Sequence, residues 1–404
     1  MRLRIKEICD YVSRGTTPDY VDEGANKVMN QATFSKGWLD ESNIRYTSKA
    51  NKGARIMKGD LLMASTGGGV LGKVFFFDDD DSFYADSHVT IMRNSKGANL
   101  MKYLYYYFYL RYDEINATMV KGSTNQTELQ RNYLLSYELD VPTLADQQRM
   151  VTYLDTKLSE IDHKVSLLTS KRDAYLRLKK SIINHVVTHG LNPNVKMKDS
   201  GIEWIGEVPE HWEVKRLKNV VECNAKSLGE NTPKDSIIKY VEISDVDHVH
   251  GINNIQSLMF GEAPSRARRI TQKGDIIIST VRTYLKAIAK IEDDDIIVST
   301  GFAVLHPTKC NGEYLAYYIL SESFINRVEM LSKGTSYPAI NASDLVSINV
   351  LIPPLPEQHA IATYLDDKCA KIDTIVSNLN KQISRYGDLK RSLIDEVITG
   401  KRAV

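Results

Sequence analysis

The residues with the clearest potential for chemistry are the glycines and lysine of STGGGVLGKV, residues 65–74. Gly67 to Lys73 matches the first seven positions of the nucleotide-binding pattern G-x-x-x-x-G-K-[ST], whose backbone amides surround phosphates. The eighth position is Val74, which has no hydroxyl group for a magnesium ion. The next residues, FFFDDDD, read as a strand and a turn, whereas a phosphate loop opens a helix. We therefore expect a loop at the end of a strand, with no nucleotide bound there.

Other residues that could support catalysis or bind a metal ion have simpler interpretations. Asp78–Asp81 and Asp293–Asp295 each follow a strand-like run, which favours solvated hairpin turns over metal sites. The segment DVDHVH at 245–250 alternates acids and histidines, but no further His or Cys lies nearby to complete a site. The sequence has no Asn-Pro-Pro-aromatic motif for amino methylation and no pairing of a nucleophile with a base. We expect a chain that is not an enzyme, with no cofactor and no metal ion.

Composition narrows the class of protein. The 404 residues include 42% hydrophobic and 25% charged residues, which is ordinary for two or three globular domains. The four cysteines are far apart, which indicates reduced thiols in the cytoplasm. The sequence contains no run of about 18 apolar residues, so we expect no membrane span. The net charge of +1 requires that any nucleic-acid binding rely on local basic patches.

The elements that must position any site are organised by an internal repeat. A shift of 211 residues places PTLADQQRMVTYLDTKLSEID over PPLPEQHAIATYLDDKCAKID without a gap. Weaker matches follow the same order upstream, including KGDLL at 58–62 with KGDII at 273–277, and KGS at 121–123 with KGT at 333–335. The chain is thus two copies of a strand-rich segment followed by a long polar helix.

Each long helix carries an apolar seam with alternating steps of three and four residues, which is typical of a coiled coil. Helix–helix contacts are predicted for Leu154, Leu158, Ile161, Val165, Leu168 and Tyr175 in the first copy, and for Leu365, Ile372, Val376, Leu379 and Tyr386 in the second. Lys179 and Lys390 occupy the same seam position, where a lysine costs stability but can fix register. A seam of about 36 residues has a length of roughly 54 Å.

The length of the helices predicts the topology. The first helix carries the chain away from the first globular segment, and the second helix covers its seam by packing antiparallel on the first. We expect an α+β protein with two globular domains, two long antiparallel helices and a pseudo-two-fold axis. The predicted divisions are residues 1–142 for the first domain, 143–190 for its helix, 191–213 for a linker, 214–353 for the second domain and 354–404 for its helix.

This arrangement resembles the specificity subunit of type I restriction-modification systems over essentially the whole chain. The resemblance is carried by the run at 58–74, the linker GIEWIGEVPEHWEVKRL at 201–217 and the two helix openings LADQQRMVTYLDTKLSEID and LPEQHAIATYLDDKCAKID. It implies that each globular domain is a target-recognition domain for one half of a bipartite sequence in double-stranded DNA. It also implies that the helices act as a spacer and bind two DNA methyltransferase (modification) subunits, which nuclease-translocase (restriction) subunits join.

DNA contact requires cations and amides for phosphates, and polar side chains for base edges. The candidates in the first domain are Arg14, Thr16, Thr17, Ser65, Thr66, Lys73, Lys121, Ser123, Thr124 and Asn125. Those in the second domain are Arg266, Arg268, Arg269, Arg282, Thr283, Tyr284, Lys333, Thr335, Ser336 and Tyr337. The alternative interpretation is a DNA-independent scaffold, in which the coiled coil presents two protein-binding domains. Retention of duplex DNA that falls with salt would distinguish the two, because only phosphate binding releases counterions.

Overall fold

The structure, a computed structural model, describes residues 1–95, 97–122, 127–248 and 250–404. The chain divides into a first unit, residues 1–168 with 381–404, and a second unit, residues 169–380. Each unit combines a strand-rich globular part with half of each of two long helices. The α+β class predicted from the repeat is therefore confirmed.

The first unit contains short strands and a few helices before the first long helix. Its strands are β1 (Arg2–Arg4), β2 (Tyr11–Arg14), β3 (Tyr20–Val21), β4 (Asn26–Met29), β5 (Arg45–Thr47), β6 (Arg55–Ile56), β7 (Leu61–Ala64), β8 (Val74–Phe76), β9 (Phe83–Ala85), β10 (Val89–Arg93), β11 (Val120–Lys121), β12 (Glu128–Leu129) and β13 (Glu138–Asp140). Its helices are α1 (Ile5–Ile8), α2 (Gln31–Phe34), α3 (Ala98–Tyr109), α4 (Tyr112–Thr118), α5 (Arg131–Ser136) and the start of α6 (Leu144–His189).

Two larger sheets form most of the globular part of the first unit. One is antiparallel in the order β2-β10-β7-β8, and the other has the order β3-β5-β4-β9-β6 with β4 and β9 parallel. The central strand β7 is buried at all four positions because the second sheet and α3 cover its two faces. The apolar run after KGD in the sequence is thus a core strand, and its end is held in place by packing on both sides.

The second unit repeats this pattern after a short hairpin. Its strands are β14 (Met197–Asp199), β15 (Glu207–Pro209), β16 (Glu213–Arg216), β17 (Val221–Cys223), β18 (Ile237–Val241), β19 (Val246–Asp247), β20 (Gly251–Ile252), β21 (Gln256–Met259), β22 (Ala267–Ile270), β23 (Ile276–Ser279), β24 (Ile288–Lys290), β25 (Ile296–Ser299), β26 (Phe302–Pro307) and β27 (Asn349–Ile352). Its helices are α7 (Gly312–Ile319), α8 (Glu322–Leu331), α9 (Ala342–Leu345) and most of α10 (Leu355–Ile398).

The sheets of the second unit match those of the first. The order β17-β26-β23-β24 corresponds to β2-β10-β7-β8, and the parallel pair β18 and β25 corresponds to β4 and β9. The strand that precedes each domain also pairs with the strand before its long helix, β1 with β13 and β16 with β27. The duplication read from the sequence is therefore a duplication of fold.

The two long helices pack antiparallel within each unit. In the first unit, Lys390 of α10 binds both carboxylate oxygens of Asp162 of α6, at 2.9 and 2.8 Å. In the second unit, Lys179 of α6 binds Asp373 of α10 in the same way, at 2.7 Å to each oxygen. The shift of 211 residues exchanges the two pairs, so the seam lysines do lie between the helices. Among the predicted seam residues, Leu154, Leu158, Ile161, Leu365, Ile372 and Leu379 are buried, and Val165, Leu168, Tyr175, Val376 and Tyr386 are half-buried.

The first turn of each long helix contains a buried glutamine. The side-chain amide of Gln147 donates to the carbonyl of Pro142 at 2.8 Å, and that of Gln358 donates to the carbonyl of Pro353 at 2.7 Å. The first helix ends at Gly190, which has a φ of +78° and whose N–H donates to the carbonyl of Val186 at 2.9 Å.

Among the described residues, no helix combines the length and apolar character needed to cross a membrane.

Candidate nucleic-acid interface

The glycine-rich loop is a closed turn between β7 and β8. The N–H groups of Val70, Leu71, Gly72 and Lys73 all donate to carbonyls within or beside the loop, at 2.8–3.2 Å. These amides are therefore not available to surround a phosphate. The chain then enters a strand, as predicted, and not the helix that a phosphate site would need.

In the first unit, three separate segments meet where β7 ends. The N–H of Ser65 donates to the carbonyl of His88 at 2.8 Å, and the N–H of Leu129 donates to the carbonyl of Ser65 at 2.8 Å. Thr66 also forms an isolated bridge with Glu128. The loop after β7, the turn before β10 and the strand β12 thus form one polar surface.

Arg14 lies beside this junction at the end of β2. Its Nε donates to the carbonyl of Ser87, and its Nη1 and Nη2 each lie 3.4 Å from a carboxylate oxygen of Glu128. The next residue must be glycine, because a Cβ atom on Gly15 would overlap the carbonyl oxygens of Ala85 and Asp86. This close approach turns the chain so that Thr16 and Thr17 follow on the same surface.

Two residues of this surface were not predicted from the sequence. His88 is exposed, and its Nδ1 lies 2.6 Å from Oγ1 of Thr66. Glu128 is exposed and neutralises Arg14 in this structure. Beneath them, burial raises the pKa of Asp86, whose carboxylate accepts the N–H of His88 at 2.8 Å. Neither residue has a partner of the same type in the second copy, so the repeat gave no signal for them.

The other candidates of the first domain lie in different surroundings. Lys121 is exposed at the start of the loop that leads to β12, and Ser123, Thr124 and Asn125 lie outside the described residues. Ser65 is 1% exposed and its hydroxyl bonds with Thr90, so it is a core residue. Lys73 is half-buried and donates to the carbonyl of Ser35 at 2.9 Å. The interpretation of Ser65 as a surface loop residue was therefore wrong, whereas Lys73 is a partly exposed loop residue whose ammonium group already has a partner.

The second unit assembles an equivalent junction at the end of β23. The N–H of Thr280 donates to the carbonyl of Gly301 at 2.8 Å, and the N–H of Ile340 donates to the carbonyl of Thr280 at 2.9 Å. Val281 and Lys333 both form bridges with Ala339. The loops at 281–286 and 333–339 therefore lie side by side.

These bonds define which positions of the two loops are equivalent. The hydrogen bonds place Ser65 opposite Thr280 and Thr66 opposite Val281, which is the register given by the match of KGDLL at 58–62 with KGDII at 273–277. Residues at equivalent positions in the two loops consequently differ in chemistry.

Arg282 is an exposed cation of this second junction. It has a φ of +50°, in the left-handed region, and its guanidinium lies 4.9 Å from the centre of the Tyr337 ring. Tyr337 is 66% exposed and Tyr284 is 51% exposed. Among the described residues, neither Arg282 nor Lys333 has an ion-pair partner. The two cations therefore remain available for an anionic ligand.

The remaining candidates of the second domain differ in accessibility. Arg266 pairs with Glu242 at 2.9 Å, while Arg268 stacks on Phe260 at 4.8 Å and is half-buried. Arg269 is half-buried, with its Nη1 3.5 Å from the hydroxyl of Ser227. Thr283 is 5% exposed, and its hydroxyl donates to Ser332 at 2.8 Å. Thr283 was thus wrongly interpreted as a surface residue, whereas Thr335 and Ser336 are exposed.

The part of the chain that the structure describes contains no cluster of three or more His, Cys, Asp or Glu side chains able to hold a metal ion. What the two junctions share is strand ends that bring cations and hydroxyls together. Such side chains suit a nucleic acid.

Comparison with known proteins decides the family. Residues 1–167 and 209–385 match the family described as the type I restriction modification DNA specificity domain. The chain belongs to this family. It is accordingly a non-catalytic DNA specificity subunit of a type I restriction-modification system, and the two matched segments correspond to the two copies of the repeat.

Individual relatives of the specificity subunit are distant in sequence. A chain of Methanocaldococcus jannaschii named as the MjaX specificity subunit is 24% identical over 426 residues, covering 98% of this chain and 92% of its own length. The type I restriction enzyme EcoDI specificity subunit of Escherichia coli is 20% identical, covering 65% of this chain and 61% of its own. A solved structure described as showing complex assembly and conformational transition of the type I R-M system has a TM-score of 0.70 at 16% identity, with 98% of this chain and 97% of that chain covered. That likeness concerns the fold.

Proposed function

We propose that the specificity subunit reads a bipartite DNA sequence, with one half bound by each globular domain. The recognition domains are residues 1–142 and 214–353, the spacer helices are 143–190 and 354–404, and residues 191–213 link the copies. The observation that carries this proposal is the repeated junction, where the same hydrogen bonds bring exposed polar loops together in both units. A protein that reads two different half-sequences of DNA needs the same backbone arrangement in both domains, with different side chains on each.

The chemistry of the second junction suits contact with DNA. Arg282 can donate two hydrogen bonds to a guanine edge or to a phosphate, and Lys333 supplies a second cation beside it. The exposed hydroxyls of Thr335 and Ser336 add donors for phosphates. The ring of Tyr337 makes a cation–π contact with the guanidinium of Arg282, and this contact restricts the orientation of the guanidinium.

The first junction offers a different set of groups. Thr17, Thr66, His88 and Lys121 provide hydroxyls, an imidazole and a cation. Arg14 becomes available for DNA when its weak bond with Glu128 opens, because its guanidinium lies 3.4 Å from the carboxylate and both side chains are partly exposed. The two junctions should therefore read different half-sequences.

The proposal includes the partners of the subunit. The repeat presents equivalent helix surfaces twice, which supports the binding of two modification subunits, one on each copy. Restriction subunits with nuclease and translocase activity would join that complex in the cytoplasm, where the host DNA lies.

The proposal is tested by replacing the reading residues of one junction only. The chain, with Arg282→Ala and Tyr337→Ala, is co-expressed with its modification subunit, and the methylated bases of the host genome are mapped by long-read sequencing. We expect the wild-type chain to yield one split sequence. The variant should relax positions in only one half, since a bidentate contact contributes about 1–3 kcal/mol of discrimination per base pair.

Lys309→Ala is the matched control. It removes an exposed cation that follows β26, the strand whose other end, at Phe302, pairs with Ser279 at the junction. This variant should leave both halves unchanged. A continuous wild-type sequence, or loop variants that alter both halves equally, would contradict the proposal.

A further inference from the structure

One hydrogen bond between a globular domain and a long helix occurs at equivalent positions in both units. In the first unit, the hydroxyl of Tyr106 on α3 donates to Asp155 of α6 at 2.6 Å. In the second, the hydroxyl of Tyr317 on α7 donates to Asp366 of α10 at 2.7 Å. The two pairs are related by the shift of 211 residues that relates the repeats.

The neighbours of these tyrosines differ between the copies. Lys102, which pairs with Asp155 at 2.8 Å, is replaced in the second copy by Glu313, which instead pairs with Lys290. Tyr105 is replaced by Ala316. The tyrosine and its aspartate are thus retained where the surroundings have diverged, which indicates a role that both units require.

The tyrosine–aspartate bond is a second contact between each domain and its long helix, separated along the helix axis from the contact at the helix start. Each domain is already joined to its helix at the helix start, where Gln147 or Gln358 binds a proline carbonyl of the preceding segment. The aspartate lies eight residues further along the helix, about 12 Å away. Between these two points, Val151 and Leu154 of α6, and Ile361 and Leu365 of α10, share a hydrophobic core with the domain, but such apolar contacts have no directional preference. Two hydrogen bonds separated along the helix axis add the direction that this packing lacks.

A cleft lies beside the tyrosine–aspartate bond in each unit. A cleft of about 920 Å³ in the first unit is lined by Tyr106 and Asp155, and one of about 930 Å³ in the second is lined by Tyr317 and Asp366. The clefts leave space into which a domain could tilt if the bond were absent. Burial raises the pKa of both tyrosines well above the usual value, so each hydroxyl remains a donor at physiological pH.

We infer that Tyr106 with Asp155, and Tyr317 with Asp366, are positioning residues that fix the angle of each domain on its helix and thereby restrict the spacer length that the complex accepts. This inference rests on the proposed function, since it concerns the gap between two half-sites. Each added base pair displaces a half-site by about 3.4 Å and rotates it by about 35° around the DNA axis. A rigidly held domain cannot follow that change, whereas a loosely held one can.

The test uses the full chain carrying Tyr106→Phe and Tyr317→Phe, assembled with its modification subunits. Phenylalanine keeps the ring and removes only the hydroxyl, so folding should be retained. Dissociation constants are measured for duplexes with the native spacer and with a spacer one base pair longer. We expect the preference for the native spacer to fall about tenfold, because a hydrogen bond to a charged group shifts an equilibrium by that order. Sequence preference within each half should not change.

Tyr137→Phe is the control, because Tyr137 donates to Glu114 at 2.9 Å within the first domain and does not involve a long helix. It should leave spacer preference unchanged, as a purely structural loss would. If the wild type prefers one spacer and the double variant prefers it equally strongly, the inference is wrong while the proposed function stands. If the wild-type complex shows no dependence on the spacer, the proposed function itself fails.

Discussion

The aspartate of the repeated KGD motif is a structural residue. Asp60 accepts the N–H of Met57 at 2.7 Å and forms a bidentate pair with Arg93 of β10, also at 2.7 Å. Asp275 closes the same turn in the second unit and contacts His306 of β26 at 2.8 Å. In each copy, the carboxylate ties a turn to a neighbouring strand and so fixes where the central strand begins.

Asp60→Asn should therefore destabilise the first unit. Asparagine keeps the bond to Met57 but leaves the guanidinium of Arg93, which is 20% exposed, without its charged partner. Loss of one member of a buried pair costs about 3 kcal/mol. The free energy of unfolding, measured by urea titration, should fall by about that amount. Asp80→Asn removes an 85% exposed carboxylate paired with Lys58 and should cost less than about 1 kcal/mol. Equal losses for the two variants would contradict this account.

Residue chemistry alone could not identify which loop residues face outward. Ser65, Lys73 and Thr283 are polar residues in loop-like sequence, yet each is withdrawn from the surface by a hydrogen bond inside its unit. His88 and Glu128 reach the first junction from segments that are distant in sequence. No periodicity or motif encodes such partners, because they depend on how the strand ends meet.

At the scale of elements, the long helices were the most predictable feature. Their seam has a regular period, and apolar residues at that period have few alternatives to helix pairing. The aromatic run KYLYYYFYLRY at 102–112 and its partner EYLAYYILSE at 313–322 lie mostly in helices α3 and α7, with Tyr103, Phe108 and Tyr314 buried. The seam lysines indicated positions that can fix register, although the sequence did not reveal Asp162 and Asp373 as their partners.

Reversing one seam charge should weaken the helix pair. Lys390→Glu places two carboxylates together, and we expect a loss of about 1 kcal/mol in the free energy of unfolding, since the pair is partly exposed. Adding Asp162→Lys should restore most of the loss, as a double-mutant cycle would reveal. Lys371→Glu, in a surface pair within α10, should cost about 0.3–0.5 kcal/mol. A double variant no more stable than Lys390→Glu alone would show that the pair does not set register.

At the scale of the whole molecule, the duplication explains the combination of shared and differing features. Strand orders, helix starts and the tyrosine–aspartate bonds are retained in both units, whereas the loops at the junctions differ. A single self-comparison of the sequence therefore predicted the α+β class and the antiparallel helices. It could not predict the half-sequence that we propose for each domain, because that depends on side chains whose positions follow from tertiary contacts.

The central claim is that the helices set the gap between two independently read half-sites. It is tested most directly by inserting one heptad into each long helix at the points where the units divide, after Leu168 and after Asn380. Seven residues lengthen a helix by about 10.5 Å, the length of about three base pairs. Methylated bases are then mapped in a host that expresses the variant with its modification subunit. The account predicts the same two half-sequences separated by a gap up to about three base pairs longer. Altered half-sequences with an unchanged gap would contradict it.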